Sequence, residues 1–177
     1  FLPEEKLTAA TAQLLNIEQE TVADGINRLL ETDRLVKSFL AGITVCYLPE
    51  LYEAETNCSM RLLELASTRF PAPKSLEKML RTAESESGIT YSEQQRDAIR
   101  AAATSGVLLI TGGPGTGKTT ILNGIISLLG QMQCSYLLAA PTGRAAKRLT
   151  EVTGEDASTI HRLLEAGIDP NTGRMVF

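Results

Sequence analysis

Residues 112–120 read Gly-Gly-Pro-Gly-Thr-Gly-Lys-Thr-Thr, and no other run in the chain constrains the fold as strongly. From Gly112 to Thr119 the spacing is G-x-x-x-x-G-K-[ST], that of a phosphate-binding P-loop. The flanks agree. The apolar run Val107-Leu108-Leu109-Ile110 predicts a strand before the loop, and Ile121, Leu122, Ile125, Ile126 and Leu129 predict a helix after it. Each part suits a task. Glycines let backbone N–H groups turn inward around phosphate oxygens, and a helix N-terminus adds the positive end of its dipole. Gly113, Pro114, Gly115, Thr116, Gly117, Lys118, Thr119 and Thr120 are the expected cradle for a nucleoside triphosphate. Lys118 can reach the β- and γ-phosphates, and the Thr119 hydroxyl can bind Mg²⁺, which makes these two the expected catalytic residues. The plainer alternative is a glycine turn between a strand and a helix.

The chain has 177 residues, room for one domain or two small ones. Its net charge of −4 argues against a nucleic-acid binder taken as a whole. The charge is uneven, however. Residues 1–40 hold four basic and seven acidic side chains, whereas residues 92–177 hold eight basic and seven acidic. Any nucleic-acid affinity is therefore expected in the C-terminal half. Cys46, Cys58 and Cys134 form no C-x-x-C pair, and with a single histidine a Cys/His zinc site is implausible. Free thiols in a reducing, cytoplasmic setting are the simplest account. No apolar run approaches the ~20 residues of a membrane span, and no signal-peptide pattern is present. A chain that starts with Phe1 rather than Met is expected to be a piece of a longer protein.

Residues 1–69 read as a small, mainly helical, winged-helix-like domain followed by a helix. Pro3 opens a first helix with Leu7, Ala10 and Leu14 on one face. Asn16 and Gln19 have the spacing of a capping box for a second helix, whose stripe is Val22, Ile26, Leu29 and Leu30. A hairpin follows, with strands at 35–39 and 43–48 around an Ala41-Gly42 turn. The second helix exposes Glu18, Glu20, Asp24 and Glu31 against one base, Arg28. A helix that reads DNA should be basic, so a structural or protein-contact role is favoured. Residues 50–69 predict one long helix. Residues 70–90 read as a linker with a short helix capped by Ser75, and 82–90 as loop. From 91 to 177 the order is helix (92–104), strand (107–111), P-loop, helix (118–130), strand (134–140) and further helices. That is the opening of an α/β domain with a parallel sheet.

Three more stretches narrow the reading: Tyr91-Ser92-Glu93-Gln94-Gln95-Arg96-Asp97-Ala98-Ile99, Ala139-Ala140-Pro141-Thr142-Gly143-Arg144-Ala145-Ala146-Lys147-Arg148-Leu149, and Ala157-Ser158-Thr159-Ile160-His161-Arg162-Leu163-Leu164. Together with the P-loop, and in this order, they resemble the N-terminal, RecA-like motor domain of superfamily 1 DNA helicases, in particular the RecD/TraA-type branch. The motif likeness covers about 91–164, and the segment before it is similar to the stretch that precedes the motor in RecD-like proteins found without RecBC partners.

The resemblance implies an ATP- and Mg²⁺-dependent helicase that moves 5′→3′ on single-stranded DNA, opens duplex DNA and serves repair and recombination. It assigns Gln95 to the adenine edge, although Ser92 and Gln95 also have capping-box spacing. It assigns Pro141, Thr142 and Arg144 to the single-stranded DNA backbone. Thr142 could equally be an N-cap, and Lys147 and Arg148 could be a solvated basic face. His161, the single histidine, falls in a region that borders the DNA path in the family; a packed role is the alternative. Members of this branch are often labelled the alpha chain of exodeoxyribonuclease V, yet no nuclease carboxylate cluster is present. ATP hydrolysis in the family also needs an Asp-Glu pair ending an apolar strand. After residue 120 the acids are Glu151, Glu155, Asp156, Glu165 and Asp169, and none follows an apolar strand. This stretch alone is therefore expected not to turn ATP over. The other reading is a non-catalytic winged-helix and P-loop module that binds protein or DNA partners.

Overall fold

The computed structural model describes every residue except Asn171, Thr172, Arg174 and Phe177. The chain divides into two compact units, Phe1–Leu65 and Ala66–Phe177.

In the first unit, β1 (Leu2–Pro3) leads into α1 (Glu4–Leu15) and α2 (Gln19–Glu31). The strands β2 (Val36–Leu40) and β3 (Ile43–Tyr47) then form an antiparallel hairpin, and β1 adds to the far side of β3. The two-residue turn at Ala41 and Gly42 has positive φ at both positions (49° and 85°), the twist that matches a tight hairpin. Val22 and Ile26 of α2 are buried against Ala12, with Leu7 and Leu30 packed beside them. The stripe on α1 is not the expected one. Ala10 and Leu14 face solvent, Leu14 at 83% exposure, while Ala12 is buried. Asn16 also departs from expectation. It does not cap α2; it closes α1 in the left-handed conformation (φ 53°), its N–H donating to the Ala12 carbonyl. Asparagine tolerates that conformation better than most residues, and α1 runs long enough to need the cap. Glu18 takes the N-cap position of α2 without a side-chain bond. The helix α3 (Pro49–Ser67) then runs across the boundary between the units, and none of its residues is buried.

The second unit is built on three helices. They are α4 (Leu76–Ser87), α5 (Glu93–Thr104) and α6 (Lys118–Gln131). Their contact surface is the core: Leu76, Leu80 and Ala83 from α4, Tyr91, Ile99 and Ala103, and Ile121 and Leu128 from α6. Leu76, Leu80 and Ala83 continue a helical stripe, which is why α4 extends through the polar stretch 82–87 expected to be loop. Gly88 stops it in the left-handed conformation (φ 67°).

Beyond α6 come β4 (Leu138–Ala140), α7 (Gly143–Thr153), β5 (Ala157–Thr159), α8 (Ile160–Leu163), β6 (Gly167–Ile168) and β7 (Met175–Val176). β4 and β5 pair in parallel with Ala140 opposite Thr159, and β6 and β7 pair antiparallel. The expected strands are shortened. Val107–Thr111 has no ladder partner among the described residues, and only the last three residues of 134–140 are paired. A strand is held by its neighbour's hydrogen bonds, so an apolar run without one stays irregular. Leu109 is 82% exposed as a result. Of the expected turn at 169–173, the Gly173 N–H donates to the Asp169 carbonyl at 2.8 Å, and Asn171 and Thr172 lie outside the described residues. Among the described residues no helix is long and apolar enough to cross a membrane.

Candidate functional site

The loop 112–117 ends where α6 begins. Gly117 is the N-cap of α6 at φ 82°, and Gly115 also lies in the left-handed region at 75°. Gly117 is doubly constrained, because a Cβ there would fall 2.4 Å from Gln95 Nε2. The Thr116 hydroxyl donates to the Gly113 carbonyl at 2.9 Å and holds the loop closed. Lys118 Nζ folds back over it, donating to the carbonyls of Gly112 at 2.7 Å and Gly113 at 2.5 Å. Pro114, Thr116 and Thr119 are exposed, and Lys118 and Thr120 are partly covered. A cleft of about 470 Å³ opens beside the loop, lined among others by Gln95, Leu108, Ile110, Thr116, Lys118 and Ile121.

Gln95 approaches this loop from α5. Ser92 is the N-cap, its hydroxyl accepting the Gln95 N–H at 3.3 Å, while Gln95 Oε1 accepts the Ser92 N–H at 2.9 Å. The capping box that the Ser92–Gln95 spacing allows is therefore formed, and it leaves Gln95 Nε2 directed at Gly117. The α5 helix is braced by charge. Arg100 donates to Glu77 of α4 and to Glu93 and Asp97 of its own helix, each at 2.8 Å. Those bonds, the one to Glu77 foremost, raise the Arg100 pKa further and hold Glu77 below the usual carboxylate range. Glu84, in a stretch expected to be loop, accepts both the Tyr91 N–H and the Arg96 guanidinium. No periodicity announces an acid that bonds a residue twelve positions on.

The other candidates gather elsewhere in the same unit. Because Ala140 and Thr159 are paired, the segments that follow them leave the parallel strands side by side. One is Pro141-Thr142, the other Ile160-His161. Loops at the C-terminal ends of parallel strands are the common ligand-binding edge of α/β sheets. Thr142 is the N-cap of α7, its hydroxyl accepting the Ala145 N–H at 3.3 Å. Arg144, Lys147 and Arg148 are exposed on α7, Arg148 lying 3.6 Å from Glu151. His161 is exposed in the short α8, where Thr159 caps by accepting the Arg162 N–H at 3.1 Å. Asn123 of α6 donates to the Val152 carbonyl of α7 at 3.1 Å, a link between the phosphate-loop helix and α7 that the sequence did not suggest.

Residues 95–174 match the family model described as an AAA domain, which assigns this segment to the P-loop NTPase fold. The chain is also 33% identical over 172 residues to the ATP-dependent RecD2 DNA helicase of Deinococcus radiodurans. It is RecD-like. The match to that relative takes in 90% of the chain, so the likeness extends well upstream of the AAA domain. The RecBCD enzyme subunit RecD of Mycolicibacterium smegmatis is 40% identical over 103 residues, 45% of the chain. The ATP-dependent DNA helicase dda of Enterobacteria phage T4 is 45% identical over 64 residues, 36% of the chain. The chain spans only a small part of these relatives, 22%, 18% and 14% of their respective lengths.

Proposed function

We propose that this chain is the nucleotide-binding part of an ATP-dependent DNA helicase that travels 5′→3′ on single-stranded DNA and serves repair and recombination. The observation that carries the nucleotide part of this reading is the loop itself; the 5′→3′ direction and the repair role rest on the resemblance alone. Lys118 Nζ, at the first residue of α6, is held over the cradle by the Gly112 and Gly113 carbonyls. Charged phosphate oxygens are stronger acceptors than neutral carbonyls and would take that ammonium from them. The residues present fit ATP: glycines at the close approaches, a helix N-terminus behind the loop, and a hydroxyl at Thr119 for Mg²⁺. Mg²⁺, when bound, supplies charge neutralisation across the phosphates. Gln95 would take the adenine edge from the α5 side. Pro141, Thr142, Arg144 and His161 would meet single-stranded DNA at the ends of β4 and β5.

The chain alone binds nucleotide without turning it over, since its acids after residue 120 do not end an apolar strand. Titration with a fluorescent ribose-labelled ATP in Mg²⁺ tests this. Saturable binding that Lys118→Ala abolishes is the expected result. Steady hydrolysis abolished by the same substitution would overturn the claim of inactivity, and binding indifferent to Lys118 would sink the nucleotide reading.

A second reading is a non-catalytic binding module whose first, winged-helix-like unit recognises a protein. The groove between α1 and α2 favours it. Leu7, Leu15, Ile17, Val22, Ile26 and Leu29 line an apolar hollow of about 230 Å³ there. Residues 1–70 binding a protein while the whole chain ignores ATP would decide for this alternative.

A further inference from the structure

The segment that leads into α5 is held by a group the nucleotide reading does not use. Glu84 stands in the last turn of α4. Its Oε1 accepts the Tyr91 N–H at 2.8 Å, and both its oxygens lie 2.8 Å from Arg96 Nη2. The two side chains are sheltered, Glu84 at 13% exposure and Arg96 at 25%. A charge-assisted set screened in this way holds geometry far better than a solvated surface pair. The Tyr91 N–H, ahead of the Arg96 guanidinium, keeps the Glu84 carboxyl below the usual carboxylate range. The carboxylate is therefore charged at neutral pH.

What Glu84 holds is the base of a short chain of contacts. The Tyr91 ring is buried, and its hydroxyl sits 3.1 Å from where a Cβ on Gly124 of α6 would be. One residue on, Ser92 caps α5 and engages Gln95 Oε1 through its N–H. The other end of that amide, Nε2, rests on Gly117 of the phosphate loop. The geometry points to Glu84 as a positioning residue of the nucleotide site: by fixing the Tyr91 N–H and the Arg96 guanidinium it sets the start of α5, and so aims the Gln95 amide at the phosphate loop and at the base a nucleotide on that loop carries. This rests on the nucleotide reading above. Glutamate suits the place because its two oxygens serve two partners on different elements; a glutamine would keep the Tyr91 bond and lose the charge that orders Arg96.

The test is a double-mutant cycle on the full 177-residue chain, with fluorescent ribose-labelled ATP as probe and inorganic tripolyphosphate as competitor. Glu84→Gln is expected to loosen ATP about tenfold, the scale of one charge-assisted bond, and to leave the competition by tripolyphosphate unchanged. In a Gln95→Ala background Glu84→Gln should cost nothing more, because the two act through one contact. Arg96→Met leaves the Tyr91 N–H bonded and should show the same pattern with a smaller loosening, which guards against a Glu84 variant that fails to fold. Weakening of ATP and tripolyphosphate alike, losses that multiply in the double variant, or ATP affinity unchanged by Glu84→Gln would each overturn the proposal. Wild-type ATP binding indifferent to Lys118→Ala is distinguishable from all three; it refutes the nucleotide reading and this proposal with it.

Discussion

Gly124→Ala sets two ordinary effects against each other in the middle of α6. Alanine in a helix interior is worth about 0.5–1 kcal/mol over glycine, from backbone entropy alone. At Gly124, however, the added methyl would lie 2.5 Å from Ile99 Cδ1 and 3.2 Å from Ile99 Cγ1, with the Tyr91 hydroxyl at 3.1 Å. Ile99 has no exposed surface and sits within the packed core. Overpacking of this kind costs about 1–3 kcal/mol, so the clash wins and the net loss should be about 1–2 kcal/mol. Gly130, in the same helix, has nothing within 4 Å of its would-be Cβ. Gly130→Ala should therefore stabilise by about 0.5 kcal/mol, with the same chemistry and the opposite sign. The decisive variant is Ile99→Val, which removes the conflicting Cδ1. Alone it costs about 0.5–1.5 kcal/mol, but combined with Gly124→Ala the losses should fall short of additive by about 1 kcal/mol. Urea unfolding followed by far-ultraviolet circular dichroism gives the free energies, and amide exchange at Ile121 and Leu128 assigns the transition to this unit. Gly124→Ala as stable as wild type, or strict additivity with Ile99→Val, would refute the close crossing of α5 and α6.

Other expectations can be checked on the same material. Burial pushes the Cys46 thiol up, whereas Cys58 and Cys134 are exposed, so maleimide at neutral pH should label two thiols quickly and the third only on unfolding. Glu77 and Glu84 have folded pKa values below their ordinary 4.5, so their stabilisation is complete above that pH and is lost as the pH falls through the lowered folded values. Acid unfolding of the Glu84→Gln variant should accordingly depend less steeply on pH below about 4.5 than that of the wild type. Thr142→Ala should cost about 1 kcal/mol as a lost N-cap, with Thr142→Asn restoring it. If Thr142→Asn restores stability but not binding of single-stranded DNA, the hydroxyl serves DNA as well as the helix.

Local chemistry was legible in the sequence wherever neighbours in the chain decide the outcome. The Ser92–Gln95 box, the Ala41-Gly42 turn, the stripe of Val22 and Ile26 and the loop into Lys118 are all of that kind. The sequence pattern and the structure part where a distant partner decides. Residues 82–87 are polar enough to read as loop, yet Ala83 is buried in the same core as Leu128 and Ile99 and Glu84 is claimed by Tyr91 and Arg96, so the helix continues. Val107–Thr111 is apolar enough to read as a strand, but strand geometry is set by a ladder, and no described residue supplies one. Asn16 misled for a different reason. The same residue type caps either end of a helix, and the choice turns on which helix reaches it.

The candidate residues fall on either side of α6, and the contacts of that one helix explain why. Its first residue is Lys118, folded over the phosphate loop. Nearly two turns further along, Gly124 lets α5 approach closely through Ile99, which carries Gln95 toward Gly117. At the adjacent position Asn123 reaches the Val152 carbonyl near the end of the helix that Thr142 begins. Glycine and asparagine side by side thus seat two different neighbours on one turn of the same rod. The Gly124 seat is close-packed against Ile99 and can pass strain from the Lys118 end to α5, whereas the Asn123 seat on α7 is an exposed hydrogen bond. The two sets of candidate residues thus both lean on α6, and no bond joins α5 directly to α7 among those described.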